Sequence, residues 1–216
     1  SAVLDAVPVT LFREEVARVL AALGSADPRE AALHLRGLAE GYEMGRAAVR
    51  VEGVWSGPSS TRVPTRATAQ VLIGLVEETR RELILMTYAA RSHDRLREAL
   101  AAAGRRGVSI TVVVETLTGA AGTLQGEEPA AAFRELPRTQ IWHWPMDKRT
   151  ETSSRMHAKL AVADREVLFT TSANLTQAGI GKNIEAGLLV RGGLAPVRAG
   201  EHVRELQASG ILRRLY

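Results

Sequence analysis

From Thr68 onward the apolar residues of this chain switch repeatedly between two periods, and that switching restricts the fold more than any other feature of the sequence. The spacing predicts an amphipathic helix over 68–81 and a buried strand over 82–88, built on Leu83, Ile84, Leu85 and Met86. A second helix follows over 94–103 and a second strand over 108–114. Strands that alternate with helices pair in parallel, because the helix carries the chain back across the sheet before the next strand begins. The expected class is α/β, an α-β-α sandwich around a mixed, largely parallel sheet. Gly104-Arg105-Arg106-Gly107, basic as it looks, reads as a helix C-cap followed by a strand.

Beyond this unit, the pattern predicts a loop over 116–129, a short helix near 130–134 and a strand over 139–143. A polar loop over 145–155 comes next, then strands over 156–162, 167–171 and 184–190, and a closing helix from about 195 to 208. Before it, apolar spacing gives one helix over 9–24. A second runs from Pro28 to about Ala47, with Asp27 as its cap and Pro28 at its first position. Residues 55–60 are turn-rich and read as a linker or loop. The chain thus divides into a small helical N-terminal appendage, 1–50, and an α/β domain, 51–216.

Composition narrows the function classes. At 216 residues and 45% hydrophobic the chain can fill a core, and disorder is excluded as its main state. No window approaches the roughly 18 consecutive apolar residues of a membrane span, and residues 1–8 lack the basic and apolar regions of a signal peptide, so a cytoplasmic protein without a membrane partner is expected. With no cysteine there is no disulfide, thiolate nucleophile or Cys-based zinc site. Among 28 Lys and Arg residues only Lys148, Lys159 and Lys182 are lysines, so a retained lysine marks a position that needs a compact ammonium. A net charge of +4 and a pI near 9.9 lean toward a polyanionic partner.

The chemistry concentrates in His157-Ala158-Lys159-Leu160-Ala161-Val162-Ala163-Asp164 and Thr171-Ser172-Ala173-Asn174. Residues two apart on a strand share a face, so His157 projects with Lys159 while Ala158 and Leu160 face a core. Beyond the hairpin-like turn at Asp164, Ser172 and Asn174 are again two apart, and the four polar groups can converge at neighbouring strand ends. Lys and Asn donors suit nonbridging phosphate oxygens, and a neutral imidazole can attack phosphorus. A protonated Lys cannot ligate a metal, and Ser172 lacks the G-x-S-x-G elbow of a serine hydrolase.

His157, Lys159 and Asp164, followed after six residues by Thr171, Ser172 and Asn174, resemble the H-x-K-x4-D and G-S-x-N signature of the phospholipase D superfamily, with Thr171 in place of its Gly. Asn183-Ile184-Glu185 is similar to the family's downstream N-x-E, and the strand ending at Thr87-Tyr88 to its first core strand. The resemblance implies a phospholipase D-like fold and a nucleophilic His157 that forms a phosphohistidine. It also implies a catalytic site of His157, Lys159, Ser172, Asn174, Glu185 and Asp164 that needs no cofactor or metal. Asp164 lies in a turn, where hydrogen bonding to the loop is the competing role. A second histidine must protonate the leaving oxygen. The chain holds one motif, and His34, His93, His143 and His202 stand in unrelated contexts, so the resemblance implies a homodimer with the site on its two-fold axis. Glu185 would orient an imidazole.

Nucleic acid, with DNA the expected target, suits the arginine excess and the basic loop bearing Lys148, Arg149 and Arg155 better than phospholipid does. Trp142 and Trp144 are expected to pack in the core. Among single-motif members, residues 55–58, the helical appendage and the 171–185 segment are most similar to the phospholipase D-like components of DISARM anti-phage systems. That resemblance implies helicase and methyltransferase partners. Two functions remain open from the sequence: a nuclease, or a nucleic-acid-binding or assembly subunit with little turnover.

Overall fold

The computed structural model describes residues 10–24, 26–58 and 66–215, and the chain divides into two compact units between Ala47 and Ala48. The first unit is helical, with α1 at Thr10–Leu23 and α2 at Pro28–Ala48. Asp27 Oδ1 accepts from the amides of Arg29 (2.9 Å) and Glu30 (3.2 Å), so it caps α2 as its position before Pro28 predicts. Of the expectations above, those on residues 1–9, Ser59 and Ser60 lie outside the described residues.

Among the described residues, the second unit is built on one nine-stranded sheet. Its elements are β1 (Arg50–Ser56), β2 (Arg66–Ala67), α3 (Thr68–Glu78), β3 (Glu82–Thr87), α4 (Asp94–Arg105), β4 (Ser109–Val114), α5 (Leu117–Ala120) and β5 (Thr139–His143). They continue with β6 (Leu160–Ala163), β7 (Val167–Thr171), α6 (Gln177–Gly181), β8 (Glu185–Arg191), α7 (Leu194–Ala208) and β9 (Arg213–Arg214). Short 3-10 turns lie at Pro129–Phe133 and Met146–Lys148. The strand order is β2-β1-β8-β7-β6-β3-β4-β5-β9.

The sheet is mixed, as expected, but not largely parallel. Only β1–β2, β3–β4 and β4–β5 pair in parallel; every other neighbouring pair is antiparallel. The cause lies in the connections. Helical crossovers serve β3 to β5, whereas β6 and β7 are joined by Asp164-Arg165-Glu166, too short for anything but a hairpin. Both faces of the central strands are covered. Val71, Leu72 and Leu75 of α3 and Leu96 and Leu100 of α4 pack on Leu83, Leu85, Ile110 and Val112, while Val203 of α7 packs with Ile84, Met86 and Val162 on the other side. Trp142 and Trp144 pack against this second cluster, as expected.

Several boundaries move for identifiable reasons. α3 stops at Glu78 instead of 81 because Thr79 is extended and Arg106 Nη2 donates to the carbonyls of Val76, Glu77 and Thr79. Gly104-Arg105-Arg106-Gly107 is thus a helix end, with Gly107 at φ +99°. Trp55 and Ser56 are not linker: they end β1, which pairs along its length with β8. The strand expected over 156–162 begins only at Leu160.

Candidate active site

His157-Ala158-Lys159 is a segment without regular structure that leads into β6, joined to β7 by the Thr171 amide donating to Lys159 O (3.1 Å). His157 is exposed and Lys159 is buried. The expected facing of the neighbours is only partly met, since Ala158 is exposed while Leu160 packs on the α7 side of the sheet. The two functional groups nevertheless meet. Lys159 Nζ donates to His157 O at 2.8 Å and lies 3.0 Å from Nδ1 and 3.2 Å from Nε2 of its ring. Burial lowers the Lys159 pKa from its ordinary value, and the negative charge of Glu185 partly opposes that shift.

Tyr88, just past the end of β3, is the neighbour the sequence did not single out. Its ring centroid lies 4.8 Å from that of His157 with the planes tilted by 52°, and Lys159 Nζ lies 5.7 Å from its centre. Its hydroxyl hydrogen-bonds Thr123 Oγ1. An aromatic residue directly after the buried run 83–87 is the signal that could have found it.

Ser172 and Asn174 follow the end of β7. With His157, Lys159, Leu160 and Thr170 they line one open cleft, in which His157 is the one imidazole among the described residues. Asn174 Oδ1 accepts from the Ala89 amide (3.2 Å), leaving Nδ2 as the donor of the carboxamide. Thr171, at the Gly position of the signature, accepts from the Ala173 amide (3.1 Å) through Oγ1 and so braces this turn. Glu185, the first residue of β8, is held by Ser172 Oγ and by Asn183 Nδ2 (3.3 Å). These hydrogen bonds turn its carboxylate to Ser172 and Asn183 and not to His157, so the structure does not place it as that imidazole's orienting acid.

Other candidates stand elsewhere. Asp164 lies at the opposite end of β6, at φ +52°, where its carboxylate accepts from the amides of Arg80 (2.9 Å), Arg81 (2.8 Å) and Glu82 (2.9 Å). It is a loop anchor and not a catalytic group. Burial raises its pKa, but these amide hydrogen bonds and Arg81 outweigh that and hold it below the ordinary value. Arg149 is not a substrate ligand either. Its side chain is 1% exposed and forms an ion pair at 2.7 Å with Glu115, itself fully buried. Lys148 is exposed, and Arg155 is half-buried with Nη1 donating to Thr152 O and Ser154 O. Lys182 is exposed. His93 caps α4, His143 sits on β5, His202 on α7 and His34 on α2.

A sheet layered between helices, with His-x-Lys leading into a central strand and Ser-x-Asn closing its hairpin partner, defines a domain of the phospholipase D type. The chain belongs to the phospholipase D-like family: the profile described as "Cardiolipin synthase, PLD-like domain" matches residues 72–206. It is 27% identical over 143 residues to the DISARM protein DrmC of Bacillus paralicheniformis, an alignment spanning 66% of this chain and 57% of that relative's length. Two solved structures share the fold. NucT from Helicobacter pylori superimposes with a TM-score of 0.57 at 16% identity, covering 74% of this chain and 98% of the other. Nuc from Salmonella typhimurium, a phospholipase D family member, gives 0.55 at 20% identity, covering 77% and 97%.

Proposed function

We propose that this protein is a metal-independent phosphodiesterase that cleaves nucleic acid, DNA foremost, through a phosphohistidine on His157, as part of bacterial anti-phage defence. The observation that carries this reading is the contact of the Lys159 ammonium with the exposed His157 imidazole, in a cleft shared with Asn174. In the first step an imidazole nitrogen attacks phosphorus and the bond to the leaving oxygen breaks. A second imidazole protonates that oxygen. The same group then takes a proton from water as the water oxygen attacks phosphorus, the P–N bond breaks, and His157 is restored. Lys159 and the Asn174 amide hold the nonbridging oxygens as charge builds on them.

The second imidazole comes, in this proposal, from a second copy of the chain. An uncovered apolar face adjoins the cleft: Val51 and Trp55 of β1 and Leu188 of β8 are about half exposed, and Leu188 pairs with Thr170, which lines the cleft. Such a face suits a partner copy. Glu185, held by Ser172 and Asn183, would serve the partner's imidazole.

The net positive charge and the exposed Lys148 beside the motif support a polyanionic substrate. The similarity to a DISARM protein supports a defence role beside helicase and methyltransferase components. The incompleteness of a single chain's site supports a second reading, an assembly or nucleic-acid-binding subunit with little turnover. Incubating the protein with single- and double-stranded DNA and RNA in EDTA, beside His157→Ala, separates these. Cleavage that survives EDTA and vanishes in the variant is the expected result. Sensitivity to EDTA overturns the mechanism, and binding without cleavage selects the second reading.

A further inference from the structure

We infer that Glu115 and Arg149 form a buried clamp that fixes the nucleophile's backbone, which makes both of them positioning residues for His157. Glu115 directly follows β4 and is fully buried, a costly place for a carboxylate unless every lone pair facing the protein is used. They are used in two directions. Oε1 accepts from Arg149 Nη2 (2.7 Å) and the Thr116 amide (2.9 Å), while Oε2 accepts from the amide of Met156 (2.9 Å), the residue immediately before His157.

Arg149 completes the clamp from the other side. Its guanidinium donates to Trp144 O (2.7 Å from Nη2), Gly119 O (2.8 Å) and Ser154 O (2.8 Å), and lies 5.3 Å from the Trp144 ring centre. One buried cation therefore ties both ends of the 144–155 loop, α5 and Glu115 together. Gly119 shows how tight this is, because a Cβ there would run into Glu115 Oε1 and Arg149 Nη2. The segment 156–159 lacks a strand's full ladder, so the Met156 amide bond substitutes for ladder pairing exactly where His157 must be held. Tyr88 packs the ring, and the clamp holds the main chain below it.

The inference rests on His157 acting as the proposed nucleophile, and its test keeps the two apart. In Glu115→Gln, an amide group replaces one carboxylate oxygen and must face an N–H donor. Hydrogen exchange at the Met156 amide and the pH titration of the His157 imidazole, both read by NMR, report the clamp without any turnover. Kinetics on a chromogenic phosphodiester report its consequence. We expect exchange at Met156 to rise at least about tenfold over the rest of the sheet and kcat to fall about 100-fold with KM little changed, the scale for a reacting group displaced by roughly 1 Å. Arg149→Lys, which keeps the charge but not the fork, should give the same pattern more weakly and provides the test should Glu115→Gln fail to fold. A folded variant with unaltered Met156 exchange and His157 titration overturns the clamp. A wild type that cleaves no diester overturns the proposed function, while the NMR readouts still decide the clamp.

Discussion

Lys159 shows why residue type matters more than charge at this site. Its Nζ reaches the His157 carbonyl and ring from a buried position, which a single compact ammonium can do and a planar guanidinium cannot. Lys159→Arg should therefore lower kcat on a phosphodiester by roughly 100-fold or more, the scale for losing a preorganised donor to the transition-state oxygens; an active arginine variant would show that charge alone suffices. Because burial lowers the Lys159 pKa, the wild-type rate should also fall, as pH rises, at a pH below the ordinary lysine value. Asp164 predicts the opposite behaviour. Asp164→Ala removes the acceptor of three amides and should cost roughly 2 kcal/mol, read by denaturant unfolding. The native pKa is depressed, so this stabilisation is fully present above the unfolded value near 4 and disappears as pH falls through the lower native pKa; the gap between wild type and variant should close in acid. A folded Asp164→Asn should keep its kcat. The spacing of His157, Lys159, Ser172 and Asn174 was legible because fixed offsets along a hairpin dictate which side chains meet. The roles of Tyr88, Glu115 and Arg149 were not, since a buried ion pair and a ring contact join residues from separate loops, and Arg149 in sequence looks the same as a solvated basic residue.

At the scale of elements, the strands that form the centre of the sheet were readable because both their faces are buried and their apolar runs are continuous. β1 was not. Only Val54 of its seven residues is buried, and Gly53 interrupts its middle, so neither alternation nor an apolar run marks it. β9 has two arginines, and α6 has two glycines in five residues, compositions that predict neither element. The link between β3 and the Asn174 turn is a tertiary feature of the same kind. Thr87 is buried; its hydroxyl donates to Ala89 O (2.7 Å) and accepts from the Leu175 amide (3.0 Å), while Ala90 bridges Leu175. This zipper holds Tyr88 and Asn174 together. Thr87→Val fills the same space and leaves the Leu175 amide unpaired, so it should lower stability by about 1–3 kcal/mol in denaturant unfolding. Because the turn carrying Asn174 loosens with it, kcat on a diester should fall as well. Loss of stability with an unchanged kcat would show that the zipper serves the fold alone.

At the scale of the whole molecule, the cleft and the uncovered β1–β8 face argue together. The cleft holds one imidazole among the described residues where the proposed reaction needs two, and the apolar side chains of Val51, Trp55 and Leu188 near it stay exposed. If two copies share one site, each active assembly must contain two intact His157 residues. Mixing wild type with His157→Ala, after exchange of subunits, should then reduce activity as the square of the wild-type fraction, so that an equal mixture keeps about a quarter of the activity of the same total protein, whereas independent sites would keep about half. Replacing Trp55 with Glu should shift the protein toward monomer in sedimentation and remove activity together with assembly, because a charge would be buried unpaired against the facing copy. A linear mixing curve, or a Trp55→Glu monomer that still cleaves, would mean that a single chain completes its own chemistry. The leaving oxygen would then have to take its proton from a group other than imidazole, and the apolar face would need another occupant.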